Sequence, residues 1–347
     1  MTRRLWLRIG IVAVVAAVAV FYLYPPKKTI NLGLDLQGGI HLVLGVDIDK
    51  ALQLQTERAG DTVRAALEKK GVSVKSIEPR GVTELAVQLA SPQAWADAQT
   101  VLKDLPTFDV KEPDQAAGRL VLSMRPREVA AQREWFVKQG LETIRNRVDQ
   151  FGVAEPSIQQ QGDNRILVQL PGVQDPERAK ALIGKTALLE FKLVNDGASV
   201  EQAVAGQVPP GSELLYQRRV DKETKEERRA PFVVEKKALL TGADVANARV
   251  SIDQNTSEPY VSLELTGAGG RLFADLTSAN VGRRLAIVLD GNLYSAPVIR
   301  ERIPSGQAQI TGGFNSAEAT DLAIILRAGA LPAPVQILEE RTVGPSL

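Results

Sequence analysis

Hydrophobic residues follow three different patterns along this chain. Residues 5–24 are almost continuously apolar, with Arg8 as the interruption. Further on, apolar residues recur every three to four positions, as in residues 137–151, or alternate with polar ones over short stretches such as 166–170. Recurrence every three to four positions is typical of amphipathic helices, and alternation with polar residues is typical of half-buried strands. The sequence therefore predicts an α+β body behind one hydrophobic amino-terminal helix.

The amino-terminal apolar segment has the length and the flanking residues of a membrane anchor. A helix rises about 1.5 Å per residue, so residues 5–24 would nearly cross a hydrocarbon core of about 30 Å. Arg3 and Arg4 mark a cytoplasmic end, and Tyr22 and Tyr24 lie where interfacial aromatic residues belong. We expect an uncleaved transmembrane helix, with the rest of the chain outside the cytoplasm. A signal peptide cleaved after the Ala-Val-Ala sequence is the alternative.

The body of the chain contains an internal repeat. Shifting the sequence by 81 positions aligns residues 63–89 with residues 144–170 without a gap. Solenoid repeats have periods of about 20–50 residues, so this longer period indicates a duplicated small domain. Identical residues at equivalent positions include Arg64 and Arg145, Gly71 and Gly152, Ser76 and Ser157, Ile77 and Ile158, Gly81 and Gly162, and Leu89 and Leu170.

Both copies of the repeat predict the same order of elements. A helix ends at Gly71 or Gly152, since glycine readily adopts the left-handed conformation that follows many helices. The predicted strands are then 74–78 and 85–89 in the first copy and 157–161 and 166–170 in the second, and the helices that follow are 93–105 and 176–183. With a preceding strand, 40–46 or 119–124, each copy is a βαββα unit of the ferredoxin-like kind.

The carboxyl-terminal third predicts a half-domain of similar design. Its elements are the strands 285–289, 293–299 and 307–311 and a helix that Asn315 or Ser316 caps and Gly329 ends. Asp290 and Gly291 favour a tight hairpin between the first two strands. We expect this segment to complete the repeated domain, with residues 188–284 as an inserted subdomain. The charged run 218–229 inside that insertion predicts a solvated hairpin tip or loop.

Composition argues against several classes of chemistry. The chain has no cysteine and one histidine, His41, which disfavours thiol nucleophiles, disulfides, zinc sites and histidine-based triads. Five of the 42 basic residues lie in the first 28 positions, which hold no acid, so the remainder is mildly acidic although the net charge is +1. With 5% aromatic residues, the body lacks the basic and stacking surfaces of nucleic-acid binding. We expect no nucleic-acid partner, metal or cofactor.

The most unusual local sequence is Leu-Gly-Leu-Asp-Leu-Gln-Gly-Gly at positions 32–39. It lacks the lysine of a P-loop and the glycine spacing of a dinucleotide site. We expect a structural motif of Gly33, Asp35, Gly38 and Gly39, in which the glycines permit unusual backbone conformations and Asp35 binds local amides. No carboxylate pair and no Gly-x-Ser-x-Gly elbow predicts a catalytic site, so a periplasmic hydrolase is the least favoured alternative.

Several blocks of the sequence resemble the SecD family, and they occur in order along the chain. SecD subunits work beside the Sec protein-conducting channel and belong to the proton-coupled resistance-nodulation-division superfamily. Each block is weak alone, but the order of the blocks makes the resemblance specific. They are LGLDLQGG (32–39), RNRVDQFGVAEP (145–156), VQLPGV (168–173), LLEFK (188–192), LTGAD (240–244), LAIVLDG (285–291), SAPVI (295–299), LRAGALPAPV (326–335) and EERTVGPSL (339–347).

The resemblance implies one transmembrane helix and a periplasmic domain in which ferredoxin-like units form a base and an α+β head is inserted. The implied divisions are a cytoplasmic tip and transmembrane helix (1–28), a base (29–45, 126–187 and 285–335), an extra ferredoxin-like repeat (46–125), a head (188–284) and a connector to a missing second transmembrane helix (336–347). Residues that couple transport to protons would lie outside this chain. The expected hinge residues are Leu188, Leu189, Glu190, Phe191, Lys192, Arg283, Arg284 and Leu285.

The implied function is that of an accessory subunit of protein export in the inner membrane. The expected partners are SecF, the SecYEG channel, the membrane and the unfolded polypeptide that emerges from the channel. The periplasmic domain would bind that polypeptide and promote late, proton-gradient-driven translocation, without catalysis. A static docking module for channel subunits is the alternative. An exposed apolar groove or a free sheet edge in the head would favour polypeptide binding.

Overall fold

The computed structural model describes residues 6, 9–10, 12–16, 18, 38–220, 227–254 and 256–344. Much of the transmembrane segment predicted over residues 5–24, including residues 19–24, therefore lies outside the described residues, and so do Gly33 and Asp35. None of the helices in the described ranges is both long enough and apolar enough to cross a bilayer.

The described part of the chain is a mixed α+β structure. Its helices are α1 (Ile48–Lys69), α2 (Trp95–Lys103), α3 (Pro126–Phe151), α4 (Pro176–Gly184), α5 (Val200–Val204), α6 (Gly267–Ala279) and α7 (Ser316–Ala328). Its strands are β1 (Gly39–Val46), β2 (Val74–Arg80), β3 (Glu84–Leu89), β4 (Phe108–Asp114), β5 (Arg119–Met124), β6 (Ser157–Gln161), β7 (Arg165–Pro171), β8 (Leu189–Leu193), β9 (Ser212–Val220), β10 (Glu227–Glu235), β11 (Leu240–Thr241), β12 (Val245–Ile252), β13 (Pro259–Leu265), β14 (Leu285–Leu289), β15 (Asn292–Ser295), β16 (Gln307–Ile310) and β17 (Val335–Val343).

Two antiparallel sheets and helices α1 to α4 share one hydrophobic core. Sheet one has the strand order β17-β1-β7-β6, and sheet two has the order β2-β3-β5-β4. Leu42 on β1, Leu67 on α1 and Ile144 on α3 are fully buried between them. Gly39 at the start of β1 is the register partner of Val343 at the end of β17, so the first and the last strand lie side by side.

The other two sheets form what we call the two-sheet region, residues 189–328. Sheet three has the order β10-β9-β15-β14-β8-β11, and sheet four has the order β12-β13-β16. A second core, which includes Phe191, Leu263 and Leu322, lies between these sheets and helices α6 and α7. Phe151, the last residue of α3, packs against both cores, so α3 joins the two parts of the molecule.

The internal repeat appears in the structure as two hairpins with one register. Ile77 pairs with Val87 in β2–β3, and the equivalent Ile158 pairs with Val168 in β6–β7. We call α1, β2, β3 and α2 the first repeat unit and α3, β6, β7 and α4 the second. Gly152 ends α3 with a φ of 83°, as predicted from its position after the last apolar residue.

The strand predicted over residues 293–299 is shorter in the structure. Strand β15 ends at Ser295, because Pro297 has no N–H with which to continue a ladder. The chain nevertheless stays beside β14, since Leu285 donates to the Pro297 carbonyl at 2.9 Å and Ile299 donates to the Arg283 carbonyl at 2.9 Å.

Residues 285–328, which the sequence assigned to the base, lie in the two-sheet region. Strand β14 pairs with β8 and β15, and β16 pairs with β13. The five residues of β14 are all buried, which is typical of a strand inside a sheet with both faces covered. The hydrophobic run at residues 285–289 therefore predicted an interior strand, but it did not show that this strand belongs to sheet three.

Candidate functional site

A cleft of about 530 Å³ opens in the two-sheet region between sheet three and sheet four. Its floor consists of apolar side chains that other residues already cover to a large degree. These are Phe191 on β8, Phe273 on α6, Leu285 and Ile287 on β14, and Ile299, each with at most 4% of its surface exposed. The floor is therefore a firm apolar surface and not an open hole in the core.

Two interactions hold the walls of this cleft in place. The rings of Phe191 and Phe273 meet edge to face, with centroids 6.2 Å apart, which ties sheet three to α6. The Thr277 hydroxyl on α6 donates to the Phe273 carbonyl at 2.8 Å and accepts the Ile303 N–H at 3.0 Å. The loop that follows β15 is thus fastened to α6, and it forms one lip of the cleft.

The opposite lip is β16, one of the two edge strands of sheet four. Leu265 donates to the Gly306 carbonyl at 2.8 Å, and the ladder then runs through the pairs Leu263 with Ala308 and Val261 with Ile310. In an antiparallel pair, alternate residues direct both backbone polar groups toward the partner strand. The backbone N–H and C=O of Gln307 and Gln309 therefore point away from β13, and no described strand pairs with them.

The accessible part of the cleft combines apolar and polar side chains. Val298 is 52% exposed, and Tyr260 and Ile303 are half-buried beside it. Arg300 and Glu301 stand exposed on the rim. A free strand edge beside an apolar surface is the arrangement that receives an extended peptide as an added strand.

The predicted hinge residues lie inside regular, well-paired structure. Residues 189–192 belong to β8, which pairs with β14 on one side and β11 on the other. Lys192 is 6% exposed and bridges Glu190 at 2.8 Å and Glu213 at 2.7 Å. Burial alone would lower the pKa of Lys192, but hydrogen bonds and charge attraction from the two glutamates outweigh burial and raise it. This strand therefore resists bending, and the hinge at these residues stays a prediction.

The second predicted hinge segment is fastened to the two-sheet region by ion pairs. Arg283 contacts Glu235 at 2.5 Å. Arg284 donates from Nε to Asp196 at 2.8 Å, and its guanidinium lies 5.2 Å from the ring centroid of Phe232. Both arginines connect the start of β14 to other segments of the same region, so neither of these contacts spans the boundary with sheet one.

Of the predicted glycine motif, the structure describes Gly38 and Gly39. Both are buried and have positive φ values, 71° and 136°, which supports the expectation that they adopt conformations other residues resist. The Gly38 carbonyl accepts the N–H of Gly172 at 2.9 Å, next to the Gly39–Pro171 pair of sheet one. Among the described residues, no group of three or more His, Cys, Asp or Glu side chains is placed to hold a metal ion.

Sequence reasoning missed the free edge of β16 and the buried Arg147. The edge has no local signal, because a strand's neighbours are decided by distant segments. Arg147 lies within the block RNRVDQFGVAEP, yet nothing in that block distinguishes it from the half-buried Arg145 two residues earlier. Of the charged run 218–229, residues 218–220 lie at the end of β9 and pair with residues 227–229 at the start of β10, while residues 221–226 lie outside the described ranges.

Three family models match the chain. The SecD/SecF GG motif matches residues 26–47, the amino-terminal part of the P1 domain of protein translocase subunit SecDF matches residues 137–196, and the SecDF P1 head subdomain matches residues 212–333. The head match extends past residue 284, the predicted end of the head, to include β14, β15, β16 and α7. The exact limits of the domains stay predictions.

Similarity to known proteins extends along the whole chain. Protein translocase subunit SecD of Desulfurispirillum indicum is 45% identical over 351 residues, which cover 100% of this chain and 67% of that protein. The SecD subunit of Syntrophobacter fumaroxidans is 45% identical over 355 residues, covering 97% of this chain and 67% of that protein. The chain thus spans about two thirds of the length of these relatives.

A solved structure supports the same relationship. The crystal structure of SecDF in the super-membrane-facing form is 29% identical, with a TM-score of 0.52, over 99% of this chain and 36% of that chain. The resemblance carried by the sequence blocks is therefore confirmed. By the extent and level of this identity, the chain belongs to the SecD family of protein translocase subunits.

Proposed function

We propose that this chain is part of an accessory subunit of the Sec export machinery and that the cleft of its two-sheet region binds an emerging, unfolded polypeptide. The bound segment adds to β16 as an extra strand and rests on the apolar floor. With SecF and the SecYEG channel, this binding promotes the late, proton-gradient-driven stage of translocation. No catalytic step is part of the proposal.

The free edge of β16 is the observation that carries this proposal. Backbone hydrogen bonds bind an extended chain whatever its side chains are, and the accessible apolar side chains of Val298, Tyr260 and Ile303 add affinity for hydrophobic residues without strict selectivity. An export factor must accept many different polypeptides in an unfolded form. A mostly backbone-directed site with a polar rim and an apolar floor fits this requirement.

The family relationship supports a proposed location and architecture for the subunit. We place the body in the periplasm and the anchor predicted over residues 5–24 in the inner membrane. We propose that the second repeat unit with β1 and β17 is a ferredoxin-like base, supported by the all-antiparallel order β17-β1-β7-β6. The two-sheet region would be the head, as the head-subdomain match to residues 212–333 supports.

Photocross-linking from two matched tyrosine positions tests polypeptide binding. Tyr260 lines the cleft, whereas Tyr216, 42% exposed, lies on β9 and is not among the residues that line it. Each is replaced in turn by a photoreactive phenylalanine analogue in the full-length subunit with its other membrane helices, and cross-links to a stalled translocating polypeptide are measured in membrane vesicles with and without a proton gradient. We expect cross-links from position 260 that change with the gradient and few from position 216. Gradient-independent cross-links to channel subunits would instead support static docking.

A proline substitution tests the role of the β16 edge itself. Gln309→Pro removes an N–H that points away from β13, and proline is tolerated at such edge positions. Gln309→Ala keeps the N–H and removes only the side chain. We expect Gln309→Pro to weaken binding of an unfolded polypeptide about fivefold to tenfold, as loss of one net hydrogen bond implies, and Gln309→Ala to bind normally. Equal binding by both variants would show that β16 is not the docking strand.

A further inference from the structure

Arg147 on α3 is a fully buried arginine without a carboxylate in hydrogen-bond contact. Its terminal nitrogens instead donate to backbone carbonyls, and its Nε has no partner among the described residues. The carbonyls belong to Leu182 at 3.0 Å, Ile183 at 3.1 Å, Lys185, Thr186 at 3.4 Å and Gly329 at 3.1 Å. Such a costly arrangement calls for an explanation.

These carbonyls lie at the ends of two helices. Helix α4 ends at Gly184 and helix α7 ends at Ala328, and the last carbonyls of a helix lack intrahelical partners and carry partial negative charge. A cation between two such ends is stabilised by both. Burial lowers the pKa of Arg147 to about 10, while attraction to Asp290 opposes the shift, so the guanidinium stays charged at neutral pH.

The same carbonyls mark the two places where the chain crosses between sheet one and the two-sheet region. Residues 185–188, the outgoing segment, connect α4 to β8, and residues 329–334, the return segment, connect α7 to β17. The two segments also bond to each other, since Leu331 donates to the Thr186 carbonyl at 2.8 Å. Arg147 therefore contacts both covalent connections at once.

The outgoing segment is held from the other side by the two-sheet region. The carboxylate of Asp290, in the β14–β15 turn, accepts the N–H of Ala187 at 3.0 Å and that of Leu188 at 2.9 Å. Ala187 has a φ of 60°, a conformation that a residue with a Cβ rarely adopts without such support. The segment is thus fixed between an arginine of α3 and an aspartate of sheet three.

The internal repeat provides an independent comparison. The position equivalent to Arg147 in the first repeat unit is Ala66, which is partly buried against the core. Helix α2 of that unit is followed by strands of its own sheet, and no crossing to another region occurs there. The second repeat unit, after which the chain crosses to the two-sheet region, has the arginine. The first repeat unit, after which the chain continues into its own sheet, does not.

We propose that Arg147 is a clasp that sets the orientation of the two-sheet region against sheet one by holding the outgoing and return segments to α3. Reorientation then requires the guanidinium to exchange its carbonyl partners, and the pivot lies at residues 185–188 and 329–334. The inference concerns orientation and holds whether or not the cleft binds a polypeptide.

Distance measurements between spin labels test the clasp, and the chain's lack of cysteine makes introduced cysteines the sole labelling sites. In the complete 347-residue chain in detergent, Gln160→Cys on β6 and Leu272→Cys on α6 report across the junction. Val204→Cys with Leu272→Cys reports within the two-sheet region. All three positions are exposed.

We expect Arg147→Lys and, more strongly, Arg147→Met to shift and broaden the distance across the junction while the distance within the two-sheet region stays unchanged. Lysine keeps the charge, but its single nitrogen cannot donate to both segments as the two terminal nitrogens of arginine do. Arg145→Met is the control, because Arg145 is half-buried on the same helix, pairs with Glu142 and contacts neither connecting segment in any hydrogen bond of the described residues.

An unchanged distance across the junction in folded Arg147 variants would overturn the proposal. Broadening of both distances together would also overturn it, since that result indicates general loss of structure. If neither Arg147 variant folds, Asp290→Asn decides the question, because it weakens the other side of the outgoing segment. A shift across the junction supports the clasp, and an unchanged distance contradicts it.

Discussion

The two repeat units have the same hairpin register, yet their first helices differ at the positions that contact neighbours. Arg147 in the second unit corresponds to Ala66 in the first, although Arg145 and Arg64 are identical and both units form a helix, a hairpin and a helix. The unit can therefore fold around its own core with alanine at this position. Accordingly, Arg147 serves the connection to the two-sheet region and not the packing of the repeat.

A second difference concerns how each helix lies on its hairpin. In the first unit the sequence Ala59-Gly60 stands where the second has Gly140-Leu141. A Cβ added to Gly60 would lie 3.3 Å from Ile77, whereas one added to Gly140 would have its nearest neighbour, Ile166, at 3.7 Å. The closest approach of helix to hairpin is thus tighter in the first unit and shifted by one residue along the helix.

The largest change in stability is expected when Arg147 of the second repeat unit is replaced by alanine, the residue at the equivalent position of the first unit. Arg147→Ala leaves buried helix-end carbonyls without donors and should lower the free energy of unfolding by about 3–5 kcal/mol. Urea unfolding of the 347-residue chain, followed by circular dichroism, measures this loss. Arg145→Ala removes a side chain whose partner is the largely solvated Glu142 carboxylate, so it should change this free energy by about 0.5 kcal/mol. Equal losses of stability for the two variants would contradict the conclusion that Arg147 holds the connection to the two-sheet region.

A smaller loss of stability is expected when Gly60 of the first repeat unit is replaced by leucine, the residue at the equivalent position of the second unit. Gly60→Leu forces a side chain against Ile77 and Leu85, and overpacking of this kind costs about 1–3 kcal/mol. The neighbouring Asp61 is exposed, so Asp61→Leu is the matched control and should be close to neutral. Thermal unfolding of the two variants gives the comparison, and a neutral Gly60→Leu would show that α1 has room to move off its hairpin.

The smallest effect, and the one favourable change, is expected at Gly140. Gly140→Ala introduces the residue that the first unit carries at position 59, and the new methyl group would meet Ile166 at an ordinary contact distance. Alanine is favoured over glycine inside a helix by about 0.8–1 kcal/mol, so a gain of that order is expected in the free energy of unfolding. A measured loss would place α3 closer to its hairpin than the structure does.

Features with local signals were predictable from the sequence. Gly152 after the last apolar residue of α3 predicted a left-handed helix end, and Asp290-Gly291 predicted the tight turn between β14 and β15, where both residues have positive φ. For α7, the sequence left Asn315 and Ser316 as alternative caps. The structure selects Asn315, whose side chain accepts the Glu318 N–H at 2.9 Å while Glu318 accepts the Asn315 N–H in return.

Features that depend on distant partners were not predictable. The apolar run of β14 indicated burial on both faces, but strands 189–193 and 292–295 become its neighbours only in the folded chain. The β16 edge is free because no other described strand reaches it, and no residue of β16 encodes that fact. The candidate cleft was accordingly absent from the sequence predictions, although the need for a groove or sheet edge was stated.

The α+β class, the duplicated unit, its turns and helix ends, and the SecD family could all be predicted, because they depend on short-range periodicity and on ordered blocks of residues. The folded chain was needed to show which sheet each strand of the last third joins, where an edge stays open, and what Arg147 contacts. The backbone groups of a strand edge and the carbonyls of a helix end are chemically the same in every sequence. Their partners depend on which segments, often more than 100 residues apart, as Arg147 and Gly329 are, the folded core brings together.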